Sequence, residues 1–374
     1  MSTNNQGNEF RSITRREFLH LGGVGVMATF GFSLPSLYYP TGLLNRTNSQ
    51  LKSYSAILER TQQIEVLRPD QQGRVVDTSI DIFDIPSYSG THTNTHWRDQ
   101  VLPITGIAIG KSVDSFNMVW YKIADKGFAH SGGIQPVFTI TNTPVAQIPE
   151  GGAVAEVTVP FTDARWDPGM EELVAYRFYY ATTYWVVDLV QDEAGNPWYG
   201  VRDDKWEYVY YVPASHLRFI PQAELNPISA NVPSEQKRIE VYLSQQVMIA
   251  YEYDQPVFMA RVATGAKFSN GDYSTPAGYY TTFHKRFSRH MARGNLAANG
   301  YDLPGVPWNS YITEEGIAFH GTYWHNNFGR PRSHGCINLT PQAARWVYLW
   351  TMPIVPLDQE AVYKKTGTAV EIID

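Results

Sequence analysis

Cysteine is almost absent from this chain of 374 residues, which has one thiol, at Cys336. A single cysteine cannot form a disulfide within the chain, so the fold must be stabilised by packing alone, even outside the cytoplasm. Runs of basic residues are also absent, and the formal net charge is −6. Because nucleic-acid binding depends on clustered positive charge, we predict no nucleic-acid partner.

The remaining composition is that of a globular protein. Hydrophobic residues make up 43% of the chain and charged residues 18%, and the length is sufficient for two or three domains. Aromatic residues are abundant at 14%.

Near the N-terminus, residues 14–19 (TRREFL) resemble a twin-arginine export signal. The following residues 18–45 contain no Asp, Glu, Lys or Arg. We therefore predict that residues 1–35 engage the twin-arginine export machinery and that the protein works outside the cytoplasm, in the cell wall or envelope. About 20 apolar residues can span a bilayer, so retention of this segment as a membrane anchor is an open alternative. Residues 36–72 are expected to form a linker.

Two β-rich units follow in the sequence. Residues 79–85 (SIDIFDI) alternate apolar and polar side chains, as a half-buried strand does, and residues 119–123 (VWYKI) predict another strand. A similar pattern returns about 80 residues later, so two copies of one unit are predicted, over 73–140 and 153–221. Each copy resembles a bacterial SH3-like module. Their aromatic residues fit small barrel cores, and a sugar- or peptide-stacking surface is the alternative.

A proline-rich linker over residues 222–234 separates these units from a third domain, over 235–374. Three strand-like runs open this domain, and one helix is predicted near its end, with Thr340 as the N-cap and Pro341 at the first helical position. The predicted fold class is therefore mainly β, with two small SH3-like barrels followed by a β-rich domain with few helices.

The chemistry of the third domain centres on Cys336, in the segment SHGCIN. A cysteine attacks as its thiolate, and an unassisted thiol with a pKa near 8.5 is mostly protonated at neutral pH. A base is therefore needed, and both His334 and His320 are candidates: His334 is two residues away, and His320 ends an apolar strand. Gly335 allows the backbone to bend and present N–H groups to an oxyanion.

These residues resemble the signature of the YkuD-type L,D-transpeptidase catalytic domain. The matching segments are His-Gly-Thr at 320–322, Ser-His-Gly-Cys-Ile-Asn at 333–338, and an upstream Thr-Pro-x-Gly turn at 275–278. The resemblance covers roughly residues 238–356. It implies a cysteine acyltransferase that acts on peptidoglycan tetrapeptide stems and needs no cofactor.

The resemblance also implies roles for individual residues. Cys336 would attack the carbonyl that precedes the terminal D-residue of the stem, and His320 would be the general base, oriented by the carbonyl of Gly321. His334 and Gly335 would shape the oxyanion pocket. The candidates for substrate binding are Thr322, Tyr323, Trp324, Arg332, Ser333 and Asn338.

The sequence leaves the reaction product and two alternative functions open. An amine of a second stem would give a cross-link, a protein acceptor would become attached to the wall, and water would give an L,D-carboxypeptidase. His320, His334 and Cys336 are also possible zinc ligands, with His325 as a spare, and a non-catalytic wall-binding protein is a further alternative. His92 and His96 are spaced for a metal on a helix, but their polar context favours a loop. We predict no metal site.

Overall fold

The computed structural model describes residues 68–111, 116–294 and 300–374. The predicted export signal over 1–35 and all but the last residues of the predicted linker over 36–72 lie outside the described residues. In the described part, strands predominate and there is one α-helix, so the predicted mainly β class is confirmed. No helix in these three ranges is both long and apolar enough to cross a membrane.

The first unit is a seven-stranded antiparallel sheet. Its alternating sequence explains its core, because Ile80 and Ile82 of the second strand point inward while their polar neighbours are exposed. The strands are β1 (Gln72–Val75), β2 (Ser79–Phe83), β3 (His92–Trp97), β4 (Val101–Ile109), β5 (Val119–Ile123), β6 (Gly127–His130) and β7 (Ile134–Val137). Their order across the sheet is β3, β2, β6, β5, β4, β1, β7.

One expectation for this unit is wrong. The segment THTNTH was expected to be a loop, but it forms β3, which pairs with β2 at the edge of the sheet. Threonine favours strands, and an edge strand can be polar because its outer side faces water. His92 and His96 therefore lie on a strand, where His96 Nδ1 is 3.0 Å from Gln100 Oε1.

The second unit repeats the topology of the first. The strands are β8 (Ala153–Val157), β9 (Phe161–Arg165), β10 (Val174–Tyr179), β11 (Thr183–Gln191), β12 (Pro197–Arg202), β13 (Val209–Pro213) and β14 (Leu217–Phe219). Their order is β10, β9, β13, β12, β11, β8, β14, so each strand occupies the same place as its counterpart in the first unit. A short 3₁₀ turn precedes the last strand in both units, at Ser131–Gly133 and Ala214–His216. The SH3-like assignment and the domain bounds stay predictions.

The third region contains two five-stranded sheets and a small hairpin. The strands are β15 (Lys237–Tyr242), β16 (Val247–Glu252), β17 (Gln255–Arg261), β18 (Lys267–Phe268), β19 (Gly271–Asp272), β20 (Gly278–Thr281), β21 (His284–Arg293), β22 (Tyr301–Tyr311), β23 (Ala318–Gly321), β24 (Ile337–Leu339), β25 (Ala361–Tyr363) and β26 (Ala369–Ile373). One sheet has the order β17, β16, β15, β26, β20, and the other has the order β24, β23, β22, β21, β25.

The helix α1 (Pro341–Trp350) begins where the sequence predicts, because the Thr340 side chain accepts a hydrogen bond from Ala343 N at 3.2 Å. Its buried face packs on the core side of the sheet that contains β23 and β24. At its C-terminal end, Lys285 Nζ donates to Thr351 O at 2.7 Å and Lys237 Nζ donates to Trp350 O at 3.2 Å. Two lysine side chains thus bond carbonyls at the end of the helix that lack internal partners.

The predicted linker over 222–234 is irregular but packed. It contains 3₁₀ turns at Gln222–Leu225 and, continuing past its end, at Ser234–Gln236. Ile228 N donates to Leu349 O at 3.0 Å, and Arg345 donates to the Glu224 carboxylate at 2.9 Å. The connection between the second unit and the third region is therefore fixed against α1.

Candidate active site

The frame of the candidate site is the pairing of β23 with β24. These strands run parallel, with Phe319 opposite Ile337 and His320 opposite Asn338. Phe319 and Ile337 are fully buried in the core against α1. Side chains alternate along a strand, so His320 and Asn338 point to the other face, and Cys336, two residues before Asn338, shares it. The fold thus brings the thiol and His320 to one face of the sheet.

His320 is held in one orientation and one tautomer. Its side chain is 2% exposed, and Nδ1–H donates to Gly321 O at 3.0 Å, which leaves Nε2 with a lone pair. Burial lowers the pKa of His320 to about 4, so the ring is neutral at neutral pH. At Gly321 a side chain would be obstructed, because a Cβ would lie 2.7 Å from Pro307 Cγ.

Cys336 is partly exposed and precedes β24 directly. Its Sγ lies 3.5 Å from Gly316 O. Burial of the thiol raises the pKa of Cys336 to about 11, although a hydrogen bond from the Ala318 backbone opposes the shift. The site therefore holds a neutral thiol and a neutral imidazole at neutral pH, and a thiolate would form there only with transfer of the thiol proton to a base.

The turn before Cys336 is closed by side-chain hydrogen bonds. Ser333 Oγ donates to Cys336 O at 2.5 Å and accepts from Gly335 N at 3.1 Å. Gly335 has a φ of 112°, a backbone conformation that only glycine adopts readily. Thr275 Oγ1 donates to Gly335 O and accepts from Gly265 N, both at 2.8 Å. The upstream Thr-Pro-x-Gly turn is thus a direct support of the cysteine loop.

His334 lies at the rim, with its side chain exposed. Its ring stacks on Phe268 with the centroids 4.8 Å apart, meets Tyr273 at 4.6 Å and lies 5.7 Å from Tyr301. These contacts fix the loop through aromatic packing. Of the two histidines that the sequence leaves open, His320 has the geometry of a base.

Residues 236–372 match one protein family, described as the L,D-transpeptidase catalytic domain (YkuD). This segment is a YkuD-type L,D-transpeptidase catalytic domain. No curated protein matches the chain.

Three solved structures illustrate the wider similarity. A cysteine-to-serine mutant of the Enterococcus faecium L,D-transpeptidase is 22% identical over 37% of this chain and 50% of its own, with a TM-score of 0.29. An L,D-transpeptidase from Mycobacterium smegmatis is 18% identical over 52% of this chain and 90% of its own, with a TM-score of 0.30. One from Mycobacterium tuberculosis is 15% identical over 64% and 90%, with a TM-score of 0.27. The chain spans about half the length of the Enterococcus structure, and these similarities carry no argument about activity.

The predicted substrate-binding side chains of the L,D-transpeptidase domain divide into two groups. Trp324 and Arg332 are partly exposed, and the Trp324 ring lies 5.8 Å from that of His320. The others are buried, namely Thr322, Tyr323, Ser333 and Asn338. Trp324 and Arg332 are therefore the candidates of this set that a ligand can reach in the described structure.

Two further residues belong to the surroundings of Cys336 and Asn338, and Tyr311 was not predicted from the sequence. Tyr311 pairs with Ala318 across β22 and β23, so it shares the face of Cys336. Burial raises the pKa of Tyr311, and a negative charge on Cys336 raises it further, so the hydroxyl stays a proton donor. His325, which the sequence analysis named as a spare zinc ligand, places Nε2 3.0 Å from the amide nitrogen of Asn338. No local pattern signals Tyr311, because residues 304–310 of β22 are all buried and show no alternation.

The segment that follows His320 in the L,D-transpeptidase domain, residues 322–327, packs against the first unit. Arg74 donates to Tyr323 O at 2.5 Å, Asn326 N donates to Gly132 O at 3.1 Å, and Asn326 Nδ2 lies 3.3 Å from Ser131 O. The first unit thus supports a wall of the candidate active site. The sequence did not indicate this contact.

Proposed function

We propose that this protein is an L,D-transpeptidase that acts on peptidoglycan tetrapeptide stems through an acyl-enzyme on Cys336. The observation that carries the proposal is the orientation of His320. Its Nδ1–H is bound by Gly321 O, so Nε2 is the free base on the face that also holds Cys336. This arrangement suits a cysteine that must lose its proton as it attacks.

The proposed reaction begins when Cys336 Sγ attacks the carbonyl carbon that precedes the terminal D-residue. The thiol proton passes to His320 Nε2, and the carbonyl oxygen becomes an oxyanion. The Tyr311 hydroxyl and the Cys336 backbone N–H are the donors that we assign to it. The imidazolium keeps its Nδ1–H bond to Gly321 O and gives the new proton to the departing amine of the D-residue, which leaves a thioester.

In the second half of the reaction, an acceptor amine attacks the thioester carbonyl. His320 takes a proton from the amine and returns it to the sulfur as the thioester bond breaks. With an amine from a neighbouring stem the product is a cross-link, which is the outcome that we propose. A protein amine would give an attached protein, and water would give a trimmed stem.

Product analysis tests this assignment. Purified wall treated with the wild-type protein should yield cross-linked muropeptides by mass spectrometry, and Cys336→Ala should yield none. His320→Ala should slow acylation by about 10²- to 10⁴-fold, the usual contribution of a positioned general base. His334→Ala should have a smaller effect because its ring packs at the rim. If His334 proved indispensable while His320 did not, the assignment of the base would be wrong.

The proposed substrate lies outside the cytoplasm, so we also propose that the protein is exported. The twin-arginine-like residues 14–19 support this location. Replacing Arg15 and Arg16 with lysine should leave the precursor in the cytoplasm, as measured by cell fractionation. Unchanged export would contradict the proposal.

A further inference from the structure

An open cleft of about 430 Å³ lies between the second unit and strand β22 of the L,D-transpeptidase domain. Nothing in the proposed reaction uses it. Its principal lining side chains are five aromatic residues and one carboxylate: Trp166, Tyr176, Trp206, Tyr208, Tyr210 and Asp302.

The aromatic walls of this cleft are unusually open to solvent. Trp166 is 44% exposed, Trp206 is 50% exposed and Tyr208 is 56% exposed. The Trp166 ring meets Tyr208 at 5.5 Å and the buried Tyr210 at 5.1 Å, so these side chains form one continuous cluster. Large aromatic side chains that gather on a surface without being buried mark a binding site more often than a structural need.

The carboxylate at the cleft is held in place by a buried histidine. His290 is 2% exposed; its Nδ1 lies 2.5 Å from Asp203 Oδ2, and its Nε2 bonds Asp302 Oδ1. The other oxygen, Asp302 Oδ2, has a longer contact of 3.4 Å with the Tyr176 hydroxyl. Asp302 therefore presents an ordered oxygen that retains capacity to accept hydrogen bonds.

The charges around the cleft favour a neutral ligand. Burial acts to lower the pKa of His290, but the hydrogen bonds and charges of Asp203 and Asp302 outweigh it and raise the pKa. The Lys205 ammonium lies 5.1 Å from the Trp206 ring centroid. A cationic ligand at Trp206 would meet the Lys205 ammonium, and the negative charge of Asp302 is already offset by its bond to His290, whereas a neutral polyhydroxylated ring would meet aromatic faces and a fixed acceptor.

We propose that this cleft binds a sugar ring of the glycan strand to which the stem peptides are attached. The ring's C–H groups would pack on Trp166, Trp206 and Tyr208, and its hydroxyls would donate to Asp302. Asp302 directly follows Tyr301, whose ring lies 5.7 Å from that of His334, so one strand carries both the cleft and the rim of the active site. The inference that the sugar belongs to the glycan strand rests on the proposed function. The inference that the ligand is a sugar rests on the side chains of the cleft.

Binding of a sugar without a stem peptide tests the proposal. The probe is a soluble tetramer of N-acetylglucosamine, and its affinity is measured by calorimetry with the full-length protein. Trp166→Ala and Tyr208→Ala should each weaken binding about tenfold, the value of one lost aromatic contact. Trp97→Ala is the matched control, since Trp97 is 59% exposed on the first unit, away from the cleft, and should leave the affinity unchanged.

Each result bears on the cleft independently of catalysis. Failure of the wild-type protein to bind the tetramer at millimolar concentration would overturn the proposal, and so would equal binding by the wild type and both cleft variants. Preference for a cationic probe, N-acetyl-lysine amide, over the tetramer would also overturn it. Because the tetramer has no reactive peptide, a protein that binds it through Trp166 and Tyr208 but forms no cross-links would refute the proposed function alone. Trp166 and Tyr208 are substituted separately. If one variant has a folding defect, seen as a lowered melting temperature, the affinity of the other variant still tests the proposal.

Discussion

The two seven-stranded units share one strand order but form hydrogen bonds to different parts of the L,D-transpeptidase domain, although Tyr179 of the second unit also stacks on Tyr323 at 5.1 Å. The first unit bonds residues 322–327, which follow His320 in the sequence. The second unit meets strands β21 and β22, where Thr183 Oγ1 donates to Phe287 O at 2.6 Å and Asp204 pairs with Arg286 and Arg289. A repeated topology therefore does not imply a repeated role.

The chemistry of the two interfaces also differs. The first is built around the buried guanidinium of Arg74. This group donates hydrogen bonds to Asp99 at 2.8 Å, to Gln135 and to Tyr323 O. It also lies over the Tyr179 ring. The second is built around His290 between two carboxylates. A guanidinium keeps its charge over the physiological pH range, whereas an imidazole does not. The first interface should therefore be insensitive to pH and the second should respond to it.

The largest effect is expected from breaking the first interface. Arg74→Met removes a buried charge and leaves Tyr323 O and Gln135 without their donor, so we expect a loss of about 3–5 kcal/mol in the free energy of unfolding, measured by chemical denaturation. Turnover should fall as well, because Tyr323 lies three residues after His320.

The matched control for this change is Arg68→Met. Arg68 pairs with Asp70 on the surface, with side chains 55% and 58% exposed, so its replacement should change stability by less than about 1 kcal/mol. Equal losses in the two variants would mean that the Arg74 network contributes no more than a surface ion pair.

A smaller and pH-dependent effect is expected at the second interface. His290→Gln removes charged hydrogen bonds to Asp203 and Asp302, for an expected loss of about 1.5–3 kcal/mol. Since the pKa of His290 is raised on folding, the protonated form contributes stability below its unfolded value of about 6.5, and this contribution is lost as the pH rises through the folded pKa. Other groups near the ring are Tyr176, Trp206, Asp204, Arg286 and Arg289.

Unfolding free energies of wild type and variant, measured across that pH range, check this prediction. The difference between the two proteins should be largest in acid and should shrink in alkali. His92→Gln provides the control, because His92 is 52% exposed beside Asp81. A difference that grew with pH would contradict the charge that we assign to His290.

Sequence reasoning succeeded where the signal was local. Alternation located β2, and a hydroxyl before proline located the start of α1, whereas the assignment of Cys336 and His320 to one site stays a prediction. It failed for β3, whose polar residues carry no alternation of hydrophobicity. Local patterns report on local backbone preference and burial, and these are the features that they predicted.

The interfaces could not be predicted for a different physical reason. Arg74 and Tyr323 are 249 positions apart, and nothing in either segment specifies the other. The same applies to Tyr311, which reaches the face of Cys336 only because β22 pairs with β23. Contacts of this kind depend on how whole sheets are arranged, so they become visible only with the complete fold.

The smallest expected effect concerns the pH dependence of turnover, and it tests whether the two interfaces differ in their influence on His320. In the proposed reaction the neutral form of His320 is the base, and its pKa of about 4 predicts that kcat/KM falls only when the pH drops to about 4. That low pKa depends on burial by the segment that the first unit holds. Asn326→Ala removes the side-chain contact with Ser131 O, which should let water reach His320 and move its pKa toward 6.5. The acid limb of kcat/KM should then move to higher pH.

Thr183→Ala is the comparison at the second interface: it removes one short side-chain hydrogen bond, to Phe287 O, whereas Asn326→Ala removes two longer ones, to Ser131 O and to the Tyr121 hydroxyl. Both variants should lose about 1 kcal/mol of stability, so stability alone does not separate them. Only Asn326→Ala should move the acid limb, because Asn326 belongs to the segment that follows His320, whereas Thr183 bonds Phe287 in β21. Profiles of kcat/KM against pH distinguish the two variants. The substrate should be a stem peptide whose own groups do not titrate between pH 4 and 7. An equal shift in both variants would show that general loosening, and not the contact with residues 322–327, sets the pKa of the base.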